Sequence, residues 1–302
     1  FFAEEKCDLV ILEVGMGGDL DATNIIKNTV LAVLVPISMD HQAFLGNTLA
    51  EIAQKKAGII KPGCSVVTVG QQPETMEVIR NVCQEKGADL TETDLNSIKA
   101  LKEDFAGQIL EYREETYKIS LAGSYQTENA ALALDALEVL NHKGYPTTVE
   151  QRKKGLEETK WNGRLTIIHR NPLFIVDGAH NPAAADMLED SVRKYFKGRN
   201  MYFIMGVFRD KDYSYIIRKL CPYAEQIVTI ETPHNPRALP AQELAEAVRA
   251  CNPHVQAAEN IQDAVNKVFA MAEREDLILS FGSLSFIGEI TTLVKNREEK
   301  NL

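Results

Sequence analysis

Short apolar runs alternate with amphipathic segments along the chain, and this alternation predicts strands separated by helices. The runs have four to seven residues, which is the length of a buried strand. The predicted strands are 8–14, 30–36, 65–70, 165–170, 173–177, 201–206, 226–231 and 277–281. Such alternation with short connections is typical of parallel sheets that helices cover on both faces.

Helix ends are marked by capping residues. Thr48 and Glu51 have the spacing of a capping box, which predicts a helix after Thr48. Pro73 and Gly87 mark the two ends of another helix. Proline is favoured in the first turn of a helix, and glycine is favoured just after its last residue. Two β-rich runs over 108–121 predict a hairpin. Further helices are predicted at 127–141, 182–196, 240–251 and 261–274.

The pattern also predicts a domain boundary. A helix rich in Lys and Glu ends near Trp161, and a new strand–helix series begins after Arg164. At roughly 150 residues per domain, 302 residues suit two domains. We therefore predict one α/β domain over 1–160 and a second over 161–302.

The amino-acid composition excludes several kinds of protein and partner. With 45% hydrophobic and 25% charged residues the chain is typical of a globular protein. Its net charge of −10 argues against a nucleic-acid partner. The longest apolar runs fall short of the roughly 18 residues of a membrane span. Five scattered cysteines without CxxC spacing favour a reducing cytoplasm over a disulfide framework or a zinc site.

The start of the sequence predicts that an upstream segment exists. The chain begins at Phe1 without a methionine, and a predicted buried strand follows almost at once, from Asp8. The sequence also contains no G-x-x-x-x-G-K-[ST] phosphate loop, no G-x-G-x-x-G and no G-x-S-x-G.

Two candidate metal ligands follow the first two predicted strands. Glu13 lies at the carboxyl end of the first strand, before a glycine-rich turn, where α/β sheets bind ligands. A carboxylate there suits Mg²⁺ beside phosphates. His41 follows the next strand. The alternatives are that the glycines only form a tight turn, that Glu13 caps a helix, and that His41 is structural.

Three polar side chains on predicted helices are further candidates. Lys56 lies beside apolar residues, which disfavour the charged form of an amine, and a neutral amine can take up CO₂ as a carbamate. The alternative is a solvated lysine. Gln126 and Asn129 are three apart near a helix start and would share a face that can read the edge of a purine. Alternatively, they are ordinary caps.

A further group of candidate residues follows the strand that ends at Asp177. Pro182 suits the first turn of a helix, whose N-terminus attracts anions. Arg164 and His180 could bracket a phosphate chain, and Asp177 could accept a hydrogen bond from a ribose hydroxyl. The alternative is that Asp177 is a cap that Arg164 pairs with.

Together these segments resemble the folylpolyglutamate synthase/dihydrofolate synthase family, a branch of the Mur ligase superfamily. The resemblance extends over essentially the whole chain, in the family's order. The matching runs are LEVGMGGDLDATN, MDHQAFLGNTLAEIAQKKAGIIKPG, GSYQTENAALAL, NGR, DGAHNP, TPHNPRALPAQELAE and FGSLSFIGEI.

The resemblance implies a fold and a reaction. The fold would be Mur-ligase-like: a central P-loop-type α/β domain, incomplete at its N-terminus, and a C-terminal Rossmann-like α/β domain. The reaction would use ATP and two Mg²⁺ ions to phosphorylate a carboxylate of a folate or of dihydropteroate, and the amine of L-glutamate would attack the acyl phosphate. A monomer in the cytoplasm is expected, with small-molecule substrates and no nucleic-acid or membrane partner.

The resemblance also implies residue roles. Glu13 and His41 would bind Mg²⁺, and Lys56 would be the carbamylated lysine. The residues implied to contact ATP are Gln126, Asn129, Arg164, Asp177 and His180, and the catalytic set is Lys56, Arg164 and His180.

Three features depart from the family. Asp19 stands where the family usually has arginine, and Lys55 where glutamate is common. The family's phosphate loop would lie upstream of Phe1, so residues 1–302 alone are predicted to be inactive. Alternative functions are another Mur-type ligase acting on a cell-wall precursor, or a catalytically silent fragment.

Overall fold

The computed structural model of the chain describes residues 1–2 and 4–300. The chain divides into two compact units. The first unit contains Phe1–Lys99, Tyr112–Glu114 and Glu128–Lys154; the second contains Ala100–Glu111, Glu115–Thr127 and Gly155–Leu302. The predicted boundary at residue 160 stays a prediction.

The first unit is built on a parallel sheet with the strand order β1-β2-β3. Its strands are β1 (Leu31–Leu34), β2 (Ser65–Val69) and β3 (Asp89–Thr93). The helices between them are α1 (Gln42–Leu45), α2 (Leu49–Ala57) and α3 (Pro73–Lys86). Two further helices follow later in the chain, α4 (Tyr125–His142) and α5 (Val149–Glu158).

The predicted helix signals act as expected in α2 and α3. Thr48 and Glu51 form a capping box at the start of α2. Pro73 opens α3, and Gly87 ends it in the left-handed conformation that glycine adopts without strain. The buried faces of both helices pack on one side of the sheet, and Leu132 of α4 packs on the other. The prediction of a parallel sheet covered on both faces is confirmed.

The strand predicted at 8–14 is wrong. These residues are irregular, and Ile11 is 92% exposed. A strand forms only beside a hydrogen-bonded neighbour, and apolar content cannot supply one. None of the strands within 1–2 and 4–300 pairs with this segment. Glu13 therefore does not follow a strand, contrary to our expectation.

The hairpin predicted at 108–121 is confirmed and is part of a larger sheet. Its strands are β5 (Gly107–Tyr112) and β6 (Glu115–Ile119), and β4 (Lys99–Asp104) adds a third, which the sequence pattern did not reveal. The hairpin turn is Arg113–Glu114, and both residues have positive φ. Two positive φ angles are typical of a tight hairpin turn.

The hairpin turn contacts a buried carboxylate on α4. Asp135 is only 1% exposed. Both of its oxygens lie 3.0 Å from the Tyr112 hydroxyl, which can donate to either, and Arg113 lies 2.8 Å from Oδ1. A buried carboxylate needs such donors because it has lost its water shell. The contact stabilises the turn in a conformation that Arg113 and Glu114 rarely adopt.

The second unit contains a six-stranded sheet with the order β11-β10-β9-β12-β8-β7. Only the β7–β8 pair is antiparallel. The strands are β7 (Thr166–Arg170), β8 (Leu173–Val176), β9 (Met201–Met205), β10 (Gln226–Thr229), β11 (Val255–Ala257) and β12 (Leu277–Phe281). The helices are α6 (Pro182–Tyr195), α7 (Tyr213–Leu220), α8 (Ala241–Arg249), α9 (Ile261–Met271) and α10 (Ile287–Lys300).

Two apolar cores cover the faces of this sheet. One contains residues of α6, α7 and α8, and the other contains residues of α9 and α10. The parallel strands place the loops after β8, β9, β10 and β12 at one edge of the sheet, where α/β proteins bind ligands. In the part of the chain that the structure describes, no helix has the length and apolar content to cross a membrane.

Replacing Asp135 by alanine should destabilise the first unit. The Asp135→Ala variant leaves the buried Tyr112 hydroxyl without its acceptor, so we expect a loss of about 2–4 kcal/mol in the free energy of unfolding, measured with urea. The control Glu85→Ala removes an exposed carboxylate whose ion pair with Lys86 is solvated, and should change it by less than about 0.5 kcal/mol. Equal losses would contradict a structural role for Asp135.

Candidate functional site

Asp21 organises the glycine-rich loop that follows Glu13. Its Oδ2 accepts hydrogen bonds from the backbone N–H groups of Gly15, at 3.0 Å, and Met16, at 2.9 Å. Its Oδ1 accepts from the Thr23 backbone at 2.9 Å and from the Thr23 hydroxyl at 2.6 Å. The Thr23 hydroxyl and these backbone donors stabilise the carboxylate and lower the pKa of Asp21 to about 2.

Sequence reasoning missed Asp21. The signal was an Asp-x-Thr spacing at the start of a short helical turn, Ala22–Ile25, which Asp21 caps.

The same loop lies directly against the end of α2, which carries Lys56. The Asp19 backbone N–H donates to the Lys55 carbonyl at 2.9 Å. A Cβ atom on Gly18 would lie 2.7 Å from the Lys55 oxygen and 2.8 Å from the Lys56 oxygen, and one on Gly58 would lie 2.5 Å from the Asp19 Cβ. Glycine is therefore required at both positions for this close approach.

The side chains predicted to lie around the metal differ in exposure. Glu13 is exposed, and Lys56 is half-buried. The His41 Nε2 lies 3.8 Å from the Asp40 carboxylate, whose other oxygen accepts from the His41 backbone N–H at 2.8 Å. Across residues 1–2 and 4–300, no group of three or more His, Cys, Asp or Glu side chains could hold a metal. These donors suit only an ion that takes further ligands from water and phosphates, as Mg²⁺ does.

In the second unit, Asp177 joins two loops. Its Oδ2 accepts from the Leu165 backbone N–H at 2.9 Å, and its Oδ1 accepts from that of Ala179 at 2.8 Å. Asp177 is 5% exposed, and burial raises its pKa although both backbone donors and the charge of Arg164 oppose the shift. Leu165 has a φ of 42°, which is strained for leucine, and its hydrogen bond to Asp177 offsets that strain.

Arg164 and His180 both contact the loop residue Gly178. A Cβ atom on Gly178 would lie 2.5 Å from the Arg164 Nη1, so only glycine leaves room for the guanidinium. The His180 Nδ1 lies 2.8 Å from the Gly178 carbonyl oxygen. Because a carbonyl only accepts, Nδ1 carries the proton, and Nε2 is the basic nitrogen of the neutral ring. The structure thus brings Arg164, Asp177 and His180 together.

This loop leads into the N-terminus of α6. Asn181 caps the helix by accepting from the Ala184 backbone N–H at 2.9 Å, and Pro182 occupies the first turn. The N–H groups of a first turn and the helix dipole attract anions. Two cationic or potentially cationic side chains, Arg164 and His180, are therefore close to a helix N-terminus.

The two amides at the start of α4 differ in exposure. Gln126 is 6% exposed, whereas Asn129 is exposed. Gln126 hydrogen-bonds the neighbouring Tyr125, whose pKa is raised to about 12, mainly by burial and then by the charge of Asp177. Only Asn129 presents its amide to solvent. Tyr125, which the sequence did not single out, belongs to the surroundings of Asp177.

Two family models match the chain in succession. The Mur ligase middle domain matches residues 1–137, and the Mur ligase glutamate ligase domain matches residues 163–284. The dihydrofolate synthase/folylpolyglutamate synthase of Bacillus subtilis (strain 168) is 33% identical over 303 residues, which cover 98% of this chain and 70% of that protein.

The chain belongs to the folylpolyglutamate synthase/dihydrofolate synthase family of Mur ligases. The folylpolyglutamate synthase of Lacticaseibacillus casei is 34% identical over 80% of the chain, which spans 57% of that protein's length. The predicted family, the α/β fold class and the ATP-dependent ligase class are confirmed.

Solved structures of the family have the same fold. Mycobacterium tuberculosis folylpolyglutamate synthase complexed with ADP and AMPPCP has a TM-score of 0.86 and 31% identity over 97% of this chain and 70% of that one. E. coli FolC in complex with DHPP and ADP has a TM-score of 0.83 and 28% identity over 98% and 69%.

The hydrogen bonds to Asp21 predict that the free energy of unfolding depends on pH. Because its pKa falls from 3.8 to about 2, the stability that it contributes is present above pH 3.8 and is lost as the pH falls through about 2. Between these pH values the Asp21→Asn variant should therefore lose less unfolding free energy than the wild type, measured with urea. Asp8→Asn, which removes an exposed charge outside these hydrogen bonds, should keep the wild-type profile. An unchanged profile for Asp21→Asn would contradict this role.

The contact between the glycine loop and α2 predicts the effect of a single methyl group. Gly58→Ala forces a Cβ against the Asp19 backbone, so we expect a loss of about 1–3 kcal/mol in the free energy of unfolding. Gly70 has open space around it and no positive φ, so Gly70→Ala should be neutral or stabilise the protein by up to about 1 kcal/mol. A neutral Gly58→Ala would show that the loop does not lie this close to α2.

Proposed function

We propose that the protein transfers L-glutamate to a folate-type acid: to the terminal glutamate of (tetrahydro)folate polyglutamates, to dihydropteroate, or to both. ATP would activate the acid as an acyl phosphate. The observation that carries this proposal is the joining of the Arg164 and Asp177–His180 loops beside the N-terminus of α6. Family membership supports it, as does the E. coli relative, which binds DHPP and ADP.

Transfer of a phosphoryl group needs positioning and charge neutralisation more than covalent help. In our proposal Arg164 and His180 supply both to the phosphate chain of ATP. His180 is oriented by its Nδ1–H donation to Gly178, so that Nε2 is the nitrogen that would meet a phosphate oxygen. Asp177 would hold the two loops together. Its oxygens accept hydrogen bonds from the backbone N–H groups of Leu165 and Ala179. It would therefore accept a hydrogen bond from a ribose hydroxyl only through its remaining lone pairs.

The metal and adenine contacts are proposed for a separate set of side chains. Glu13 and His41 would bind Mg²⁺, with Lys56 as a carbamate organising a second ion. When bound, Mg²⁺ would neutralise charge on the phosphates. Exposure of Glu13 and Asn129 supports contacts of these side chains with a nucleotide. The buried Gln126 would instead support Asn129 from within the helix start.

We further propose that the protein acts on small molecules as a monomer in the cytoplasm. The net charge of −10 supports the absence of a nucleic-acid partner. The cysteines, of which Cys64, Cys83 and Cys221 are buried thiols, suit a reducing compartment.

The test is a ligase assay on the purified protein. Tetrahydrofolate, dihydropteroate and a UDP-sugar peptide are each incubated with ATP, Mg²⁺ and glutamate, and products are identified by mass spectrometry. We expect glutamate addition to one or both folate-type acids. His180→Ala should lower kcat by about 10²-fold with an unchanged melting temperature, whereas His142→Ala, at an exposed site, should not change kcat. Reaction only with the UDP-sugar peptide, or no reaction, would overturn the proposal.

A further inference from the structure

Leu284 is an apolar side chain at the edge of the six-stranded sheet where α/β proteins bind ligands. It lies in the loop after β12, in the short helical turn Leu284–Phe286. Phe286 and Ile287 follow it and are buried in one of the two cores, whereas Leu284 is 46% exposed. Leu284 therefore adds little to the core, and what it contacts lies at the edge of the sheet.

The backbone of this loop is held in place before and after Leu284. The Ser283 Oγ accepts from the Ser285 backbone N–H at 3.2 Å and lies 2.7 Å from the Ser285 Oγ. Gly282 has a φ of 110°, and a Cβ atom there would lie 2.3 Å from the Gly206 carbonyl oxygen. Only glycine therefore allows this loop to approach the loop after β9. The position from which the Leu284 side chain extends is fixed by these contacts.

Leu284 fills a space between the two loops that carry Arg164 and Asp177. These loops are joined at two glycines, because the Gly178 N–H donates to the Gly163 carbonyl at 2.8 Å. A Cβ atom on Gly163 would lie 2.9 Å from the Leu284 Cδ2, and one on Gly178 would lie 2.3 Å from the same atom. Leu284 thus occupies the volume that a side chain at either glycine would need.

The guanidinium of Arg164 reaches the same volume. A Cβ atom on Gly178 would lie 2.5 Å from the Arg164 Nη1 and 2.3 Å from the Leu284 Cδ2. Since both distances start from one point, Nη1 and Cδ2 are at most 4.8 Å apart, which is the sum of the two. Leu284 and the guanidinium therefore lie side by side over Gly178. The Arg164 Nη1 also donates to the Gly163 carbonyl, but this hydrogen bond is long, at 3.3 Å.

An apolar neighbour of this kind is suited to orienting an arginine. The side chain of arginine has several rotatable bonds, so holding it in one direction costs conformational entropy. Packing that blocks the other directions meets this cost when the protein folds rather than when a ligand binds. A leucine has no acceptor, so it leaves the N–H donors of the guanidinium available for phosphate oxygens.

We propose that Leu284 is a positioning residue for Arg164, which it holds over Gly178 in the direction from which the guanidinium contacts the phosphate chain of ATP. The catalytic part of this inference rests on the proposed function. The structural part, that Leu284 restricts the motion of the guanidinium, does not.

The kinetic test compares Leu284→Ala with the wild type in the purified protein. We expect kcat/KM for ATP to fall by about tenfold, because the guanidinium is no longer held, with the KM for glutamate within about twofold. The melting temperature should change by less than about 3 °C, because the side chain is half-exposed. Leu284→Met restores most of the volume and should recover kcat/KM to within about threefold.

The matched control is Leu101→Ala. Leu101 lies on β4 and is 55% exposed, so the substitution removes the same side chain at a similar exposure. It should leave kcat/KM for ATP within about twofold of the wild type. An equal loss in both alanine variants, or wild-type kcat/KM in Leu284→Ala, would overturn the proposal.

A double-mutant cycle shows whether Leu284 acts through Arg164. In the Arg164→Ala background there is no guanidinium to hold, so Leu284→Ala should lower kcat/KM for ATP by less than about twofold further. The same tenfold loss in both backgrounds would mean that Leu284 acts in another way, and the proposal would be wrong.

A further measurement needs no catalysis. The order parameter of the Arg164 Nε–H group is measured by ¹⁵N NMR relaxation, and its signal is assigned by its absence from Arg164→Ala. The order parameter should fall by roughly 0.2 in Leu284→Ala and keep its wild-type value in Leu284→Met and Leu101→Ala. If the wild type has no ligase activity, the proposed function is wrong, and the order parameter still decides whether Leu284 holds Arg164. An unchanged order parameter in Leu284→Ala would overturn the proposal.

Discussion

The arrangement of parallel strands is the constraint on which both units depend. Because neighbouring strands run in the same direction, the loops that follow them emerge at one edge of each sheet. In the second unit this places the loop after β8 beside that after β12, where a Cβ on Gly178 would lie 2.3 Å from Leu284. Loops that are far apart in the sequence thereby become neighbours.

Much of the architecture was predictable because it follows from local chemistry. The Thr48–Glu51 capping box located the start of α2, and Pro73 and Gly87 located both ends of α3. Continuous apolar runs located the central strands, and β12 occupies the predicted 277–281. Short edge strands such as β11 were missed, since three half-buried residues have no clear periodicity.

The wrong and missing predictions concern interactions that the periodicity of apolar residues does not reveal. The run 8–14 has the composition of a strand, but pairing depends on a neighbour that sequence does not specify. Candidate residues were found by type and spacing, whereas Asp21 acts through four hydrogen bonds within its own loop. Gln126 and Asn129 share a helix face by spacing, yet their exposures differ because packing around each is different.

The close approach of the glycine loop to the end of α2 has a consequence for the transfer of segments between relatives. A chimera that takes only one of these segments would keep the contact only if its other parent also has glycine at the positions of Gly18 and Gly58. The two segments therefore form a single exchangeable module, although Asp19 and Lys55, whose backbones are hydrogen-bonded, are 36 positions apart. Sequence identity in either segment alone would not reveal that dependence.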